Sequence, residues 1–304
     1  MACYVQFINF EGTIMPRIDD RLLDSVIYFY ASEKSANAGE KLGGSGFVVG
    51  VPSSTYPDKL YIYAVTNAHL IEQGFTTLRF NNSEGQFVVV QTKATDWEYH
   101  HDEGVDLAAC SLAIPSSIYI FPINIEKWFL TPSAIDEFKV GIGDETFTVG
   151  RFINHEGEQK NLPSVRFGNI SMMPYEPVQY KGRTHDAFLI ESRSIPGYSG
   201  SPVFVHMLPF TVRPTDATYE HEKLLEKMLV SYHVWLLGID CGVLPPRKED
   251  NAQYNTSMMV VLPIWILKGL LFQPRFVEQR KQYDILLAKR SEMDVMRNAS
   301  NDAT

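Results

Sequence analysis

Cysteine is scarce in this sequence. Cys3, Cys110 and Cys241 are its only three in 304 residues. They are odd in number and far apart, which is not how a disulfide framework is built. Basic residues are also in the minority: 27 Lys and Arg stand against 36 Asp and Glu, a net charge of −9. Phosphate backbones and anionic lipid surfaces require clustered cations. Neither nucleic acid nor a membrane is therefore an expected partner. Long apolar runs are missing as well. The stretch MMVVLPIWILKGLLF at 258–272 is interrupted by Pro263 and Lys268 and is too short to cross a bilayer. The opening residues, MACYVQFINFEG, carry neither the basic start nor the apolar core of a secretory signal. No internal repeat or low-complexity tract is visible. The expectation is a soluble protein of a reducing cytoplasm.

What the sequence does contain is apolar residues at 45%, in a chain long enough for one large or two medium domains. Most of them fall in short β-branched and aromatic segments punctuated by Gly, Pro, Asn or Asp. Examples are SVIYFYAS, GSGFVVGVP, LYIYAVTNAHL, QFVVVQTKATD, DETFTVGRFI, SPVFVHM and SMMVVLPI. About six such segments lie on each side of residues 120–140, which predicts an all-β chain in two similar halves. Helical spacing is rare. TYEHEKLLEKMLVSYHVW places Leu224, Leu225, Met228 and Leu229 on one face and predicts a helix inserted at about 217–232. Phe276, Tyr283, Leu286 and Leu287 predict a C-terminal helix within 271–304, ending in a frayed tail.

The chemistry concentrates at SIPGYSGSPVF, residues 194–204, where small residues force Ser199 onto a tight turn ahead of an apolar strand. Such a turn can aim two backbone N–H groups at one point, as an oxyanion requires. A nucleophilic serine also needs a base and a group that orients the base. Of the eight histidines, His69 stands out, delivered at the tip of the strand YIYAVTNAHLI. Asp106 opens the apolar run of GVDLAACSL, with Asp102 as its nearest rival. The order His, Asp, Ser is the chymotrypsin-type order, unlike the subtilisin and α/β-hydrolase orders. Position 201 is Ser, so the second glycine of a nucleophile elbow is absent. In YHHDEGVD, His100, His101, Asp102 and Glu103 are consecutive. Neighbours on a strand face opposite ways and make a poor metal cage, so neither a metal nor a cofactor is expected. Cys110 and Cys241 sit in apolar strands and read as small core residues.

Taken in order, GGSGFVVG with AVTNAHL, then VDLAACSL, then PGYSGSPVF resemble the trypsin-like (chymotrypsin-fold) serine peptidases. The similarity is greatest to the HtrA-like and glutamyl-endopeptidase-like bacterial branch. DETFTVGRF is similar to the strand that opens the second barrel in that branch, and LLGIDCG to the strand beside the specificity pocket. The match spans roughly residues 43–270. The resemblance implies two six-stranded antiparallel β-barrels, residues 1–130 carrying His69 and Asp106 and residues 131–270 carrying Ser199. It implies a serine endopeptidase acting on protein or peptide substrates through an acyl-enzyme. Ser199 would be the nucleophile, His69 the base, Asp106 its orienting partner, and the N–H groups of Gly197 and Ser199 the oxyanion hole. Arg193, Asp240 and Gly242 map to the substrate pocket. Arg193 would favour an acidic substrate side chain and Asp240 a basic one, unless the two neutralise each other or Asp240 faces the triad. Tyr198 stands where Asp or Asn is usual, so activation through an ion pair with a newly cut N-terminus is not expected. A cytoplasmic protease of this kind implies restraint by a regulatory protein partner, as in a stress or antiphage effector. The alternative is a catalytically silent peptidase fold kept for binding.

Overall fold

The computed structural model describes residues 18–192, 197–207, 233–245 and 256–301. Strands β1 (Val26–Tyr30), β2 (Gly44–Pro52), β3 (Leu60–Thr66), β4 (Thr77–Asn82), β5 (Phe87–Gln91), β6 (Trp97–Tyr99), β7 (Ala108–Ser111), β8 (Ile118–Tyr119) and β9 (Ile123–Asn124) form one sheet. Its order is β5-β4-β1-β2-β3-β7-β6, with β8 beside β4 and β9 beside β2. The two-residue period of a strand sorts its side chains onto two faces. Ile27 and Phe29 of β1, Val48 of β2, Ala64 of β3 and Cys110 of β7 join Leu78, Phe80 and Trp97 in a core of their own. Their neighbours Val26, Tyr28, Tyr30, Phe47, Val49, Tyr63 and Val65 point the other way, into the larger core shared with the second half. A sheet buried on both faces explains why these segments read as near-continuous apolar runs.

The second half contains β10 (Glu145–Gly150), β11 (Ser164–Met172), β12 (Val178–Tyr180), β13 (Arg183–His185), β14 (Phe188–Glu191), β15 (Pro202–Met207), β16 (His233–Val243) and β17 (Met258–Pro263). Six of them close a barrel in the order β10-β11-β14-β17-β16-β15, and β12–β13 is a separate hairpin. Lys181 (φ 48°) and Gly182 (φ 78°) form its two-residue turn, the left-handed pair that tight hairpins favour.

The expected pair of six-stranded barrels therefore needs correction: among the described residues one six-stranded barrel closes, and its companion is a nine-stranded half-barrel sheet whose end strands β5 and β6 do not pair with each other. The ends β5 and β6 are consecutive in the chain, but the link between them makes its bonds elsewhere. Thr92 returns to the carbonyl of Thr76 through both its amide (3.1 Å) and its hydroxyl (2.7 Å). A single helical turn at Ala94–Asp96 follows. The Trp97 indole N–H then donates to Thr92 Oγ1 at 2.9 Å, fixing β6 away from β5.

Helices connect and strap these layers. Besides α1 (Glu33–Ala38) and α2 (Ala68–Glu72), α3 (Ile125–Trp128) and α4 (Pro132–Phe138) join sheet to barrel. Thr131 caps α4 by accepting from Ala134 N at 3.1 Å, with Pro132 at the first turn. The apolar stretch 258–272 is divided at Pro263 between β17 and α5 (Ile264–Leu271), whose Ile264, Leu267, Leu270 and Leu271 are buried at helical spacing. The C-terminal helix α6 (Pro274–Asn301) then returns to the first sheet. Phe276 packs edge-on against Tyr63 (4.9 Å between centroids), Arg280 Nη1 donates to Tyr63 Oη (2.9 Å), and Tyr61 Oη donates to Asp284 (2.5 Å). No described helix is long and apolar enough to cross a membrane. The helix expected at about 217–232 lies outside the described residues.

Between sheet and barrel sits a buried charge cluster. The Glu156 carboxylate lies between two guanidiniums. It pairs with Arg151 Nε, stands 3.9 Å from Arg79 Nη1 and accepts from Tyr30 Oη at 3.0 Å. Arg79 also donates to Asn161 Oδ1 (2.6 Å) and to the carbonyls of Ala36 (3.1 Å) and Gly157 (2.8 Å). Both guanidiniums lie over the rings of Tyr28 and Tyr30. Burial without such partners would be prohibitive for either cation.

Candidate active site

Strand β3 ends at Thr66, and Asn67 begins the short α2, so His69 sits in a first helical turn at the sheet's rim. Asn67 is buried and its Nδ2 donates to the Asp106 carbonyl at 3.2 Å, tying this tip to the start of β7. The Asp106 carboxylate then takes two bonds from one residue. Oδ1 accepts the His69 backbone N–H at 3.0 Å, and Oδ2 meets His69 Nδ1 at 2.7 Å. Asp106 is only 3% exposed. Burial pushes its carboxyl upward, but the His69 hydrogen bond and charge, with Arg183 behind them, outweigh burial and hold it below the ordinary carboxylate range. An ionised Asp106 is an acceptor for a proton on Nδ1, an arrangement that orients the imidazole. The rival Asp102 is occupied locally: its Oδ1 accepts from Gly104 N at 2.8 Å. His100 and His101 face each other with ring centroids 4.2 Å apart.

The turn bearing Ser199 docks against the same rim. Ser45 N donates to the Ser199 carbonyl (2.9 Å), and Thr66 Oγ1 donates to the Ser45 carbonyl (2.7 Å). A Cβ on Gly44 would lie 3.0 Å from the Ser199 carbonyl oxygen and would collide with Leu70, the residue after His69. Gly197 (φ 99°) and Gly200 (φ 85°) occupy left-handed backbone. Gly200 also packs so closely on the Ser45 carbonyl and the Thr66 hydroxyl that no side chain fits there. Tyr198 points away from this rim into the barrel. It is fully buried, its hydroxyl pairs with Ser164 Oγ and donates to the Ser164 carbonyl (3.2 Å), and the Arg166 guanidinium lies 5.2 Å from its ring.

Strand β16 supports the turn from behind. Gly200 N donates to the Asp240 carbonyl (2.8 Å) and Asp240 N to the Ser201 carbonyl (3.0 Å). Of the charges expected to set specificity, Arg193 lies outside the described residues. Asp240 is fully buried, and its Oδ1 accepts the Gly242 N–H at 2.7 Å. Gly242 (φ 119°) lies under Tyr180 Oη, with Lys181 Nζ close by. Burial pushes the Tyr180 phenol up, and the charges of Asp240, Cys241 and Asp106 add to this. Burial likewise raises the Cys241 thiol, which keeps it a neutral core residue.

Two contributors escape sequence reasoning. Arg183, on the β12–β13 hairpin, donates from Nη1 to the Val105 carbonyl and from Nη2 to Glu72, all at 3.2 Å. It grips both the helix that carries His69 and the residue before Asp106. Ser45 lies inside the quoted GGSGFVVG motif, but nothing local marks its bonds across the cleft. The hairpin's Lys181-Gly182 turn is the one signal that would have revealed this arm.

In sequence the chain matches no family model and no curated protein. Among solved structures it is similar to the MamO protease domain from Magnetospirillum magneticum. The two share a TM-score of 0.50 and 13% identity over 82% of this chain and 96% of that one. It is also similar to an inactive form of the Rv3671c protease of M. tuberculosis (TM-score 0.44, 17% identity, 83% and 89% covered). A third similar structure is the HtrA-type protease AlgW with a decapeptide (TM-score 0.44, 13% identity, 83% and 64% covered). The likeness to the MamO domain is one of fold: a barrel-rich protease-domain architecture of the chymotrypsin type.

Proposed function

We propose that this chain is a serine endopeptidase that cleaves proteins or peptides through an acyl-enzyme. The observation that carries the reading is the part-buried His69–Asp106 pair, 2.7 Å from Nδ1 to Oδ2, on the rim where the Ser199 turn docks. Ser199 Oγ attacks the scissile carbonyl carbon while His69 Nε2 removes its proton. Asp106 holds the imidazole in the tautomer that leaves Nε2 basic and favours the imidazolium once formed. The carbonyl oxygen gains negative charge and is met by the N–H groups of Gly197 and Ser199. The C–N bond then breaks, with the proton on Nε2 passing to the leaving amine. Water repeats the sequence on the ester and frees the enzyme.

The compartment in this reading is the cytoplasm, in keeping with free, buried Cys110 and Cys241. A protease active there needs restraint, which motivates a regulatory protein partner of the kind that switches a stress or antiphage effector. Full-rate cleavage of unrelated unfolded proteins by the isolated chain would remove the need for that partner.

A fluorophosphonate probe tests the catalytic reading. Wild-type protein is expected to label covalently at Ser199 and the Ser199→Ala variant not at all. Labelling that survives the substitution would refute Ser199 as nucleophile, and an unlabelled wild type would favour a silent binding module.

A further inference from the structure

We propose that Ser45 is a positioning residue for the oxyanion turn, resting on the peptidase reading above. It holds the carbonyls of Gly197 and Ser199, which belong to the peptides on either side of the one whose N–H, that of Ser199, faces the reacting carbonyl oxygen.

Ser45 is fully buried near the start of β2, and it touches both halves of the molecule. Its amide donates to the Ser199 carbonyl at 2.9 Å. Its hydroxyl donates to the Gly197 carbonyl at 2.7 Å and accepts the Arg151 N–H at 2.9 Å. Its carbonyl accepts from Thr66 Oγ1 at 2.7 Å, three residues before His69. The hydroxyl's direction is settled by these partners: Arg151 N occupies its lone pair, so its single proton goes to Gly197. Arg151 is itself immobilised by the buried Glu156 carboxylate.

The consequence for the turn follows from peptide geometry. In a trans peptide the N–H points opposite to the C=O, and no described peptide is cis. The carbonyl of Tyr198 accepts from Ser201 N at 2.8 Å, which turns the N–H of Ser199 outward. The peptides on either side of that unit are the ones whose carbonyls Ser45 holds. Among the described residues, no acceptor bonds the N–H of Gly197 or of Ser199. The outward N–H of Ser199 is thus placed to serve a ligand. Restraint is needed here because Gly197, at φ 99°, lies in backbone space where glycine moves between conformations at little cost. Without the Ser45 hydroxyl, its carbonyl would have to seek another donor.

A role confined to stability and one in positioning predict different kinetics. Ser45→Ala preserves the β2 ladder, where Ser45 pairs with Tyr28, and deletes only the hydroxyl. Removing an oxyanion donor outright costs about 10²- to 10³-fold in kcat; loosening one through its support is expected to cost roughly 10- to 100-fold, with KM changed less than about twofold. Affinity for a peptide aldehyde, which forms the tetrahedral adduct, is expected to fall in parallel with kcat. Ser45→Thr, which restores a hydroxyl, is expected to regain most of the loss. If Ser45→Ala does not accumulate as folded protein, Ser45→Cys keeps the size with a weaker donor, and about tenfold loss of kcat is expected. Wild-type kcat and aldehyde affinity in folded Ser45→Ala or Ser45→Cys would overturn the proposal while leaving the peptidase reading intact. A wild-type protein that neither cleaves nor labels with fluorophosphonate would overturn both.

Discussion

An Asp106→Asn variant is expected to fold as the wild type does and to lose about 10⁴-fold in kcat at neutral pH. The bond pattern around the carboxylate explains the size of the effect. The His69 backbone N–H needs an acceptor at the Oδ1 position, where it now finds one at 3.0 Å. An asparagine must place its single oxygen there, which presents its NH₂ group to His69 Nδ1. That nitrogen then accepts, and the proton moves to Nε2, where it blocks removal of the Ser199 proton. Rotating the amide restores the tautomer only by opposing two donors at the backbone. Peptide hydrolysis by purified variant and wild type measures the outcome, and a loss under about tenfold would sink the assignment of Asp106.

The same substitution has a thermodynamic signature. A carboxyl held below its ordinary value when folded contributes stability that is present above the unfolded pKa, about 3.9. That contribution disappears as pH falls through the lower folded value. The difference in urea midpoint between wild type and Asp106→Asn is therefore expected to be larger at pH 7 than at pH 3. A gap that widens on acidification would contradict the direction assigned to Asp106.

Glu156→Ala is expected to be the most destabilising single change in the molecule, by about 3–5 kcal/mol, the usual cost of leaving a buried cation without its counter-ion. Arg151 is 0% exposed and Arg79 1%, so neither guanidinium can reach water without opening the join between sheet and barrel. The carbonyls of Ala36 and Gly157 satisfy N–H geometry at Arg79 without neutralising charge. Tyr30 Oη also loses its acceptor. Glu156→Gln, which keeps an acceptor but no charge, is expected to fall between alanine and wild type. Chemical denaturation of the three proteins reads this order directly, and a Glu156→Ala loss below about 1 kcal/mol would show the cluster to be better solvated than its burial implies.

Much of this molecule can be read from local patterns, and the remainder cannot for identifiable reasons. Segments such as SVIYFYAS and SPVFVHM announce strands because burial on both faces leaves little room for polar residues. β8 and β9, of two residues each, are too short to carry any period. Whether a sheet closes depends on what its end strands and the link between them bond to, and here Thr92 bonds to Thr76 and Trp97 to Thr92, pairings that no local pattern marks. His69 and Asp106 were legible because each ends or begins an apolar run, which places it at a rim. Ser45 was not, since its partner Gly197 lies 152 residues away. The burial of Asp240 and its bond to the amide two residues on were equally invisible, since a charge near a pocket motif reads the same whether it is exposed or buried.

A single covalent hinge between two lobes permits wide swings. In this chain the segment carrying α3 and α4 leads from sheet to barrel, and α6 leads back from barrel to sheet, anchored by Tyr61, Tyr63 and Asp284. The path is thus tethered at both ends, and a gaping motion would have to pull Asp284 from Tyr61 before the lobes could part. Under the proposed function, selectivity would then fall to the shape of the entering chain rather than to lobe closure around it.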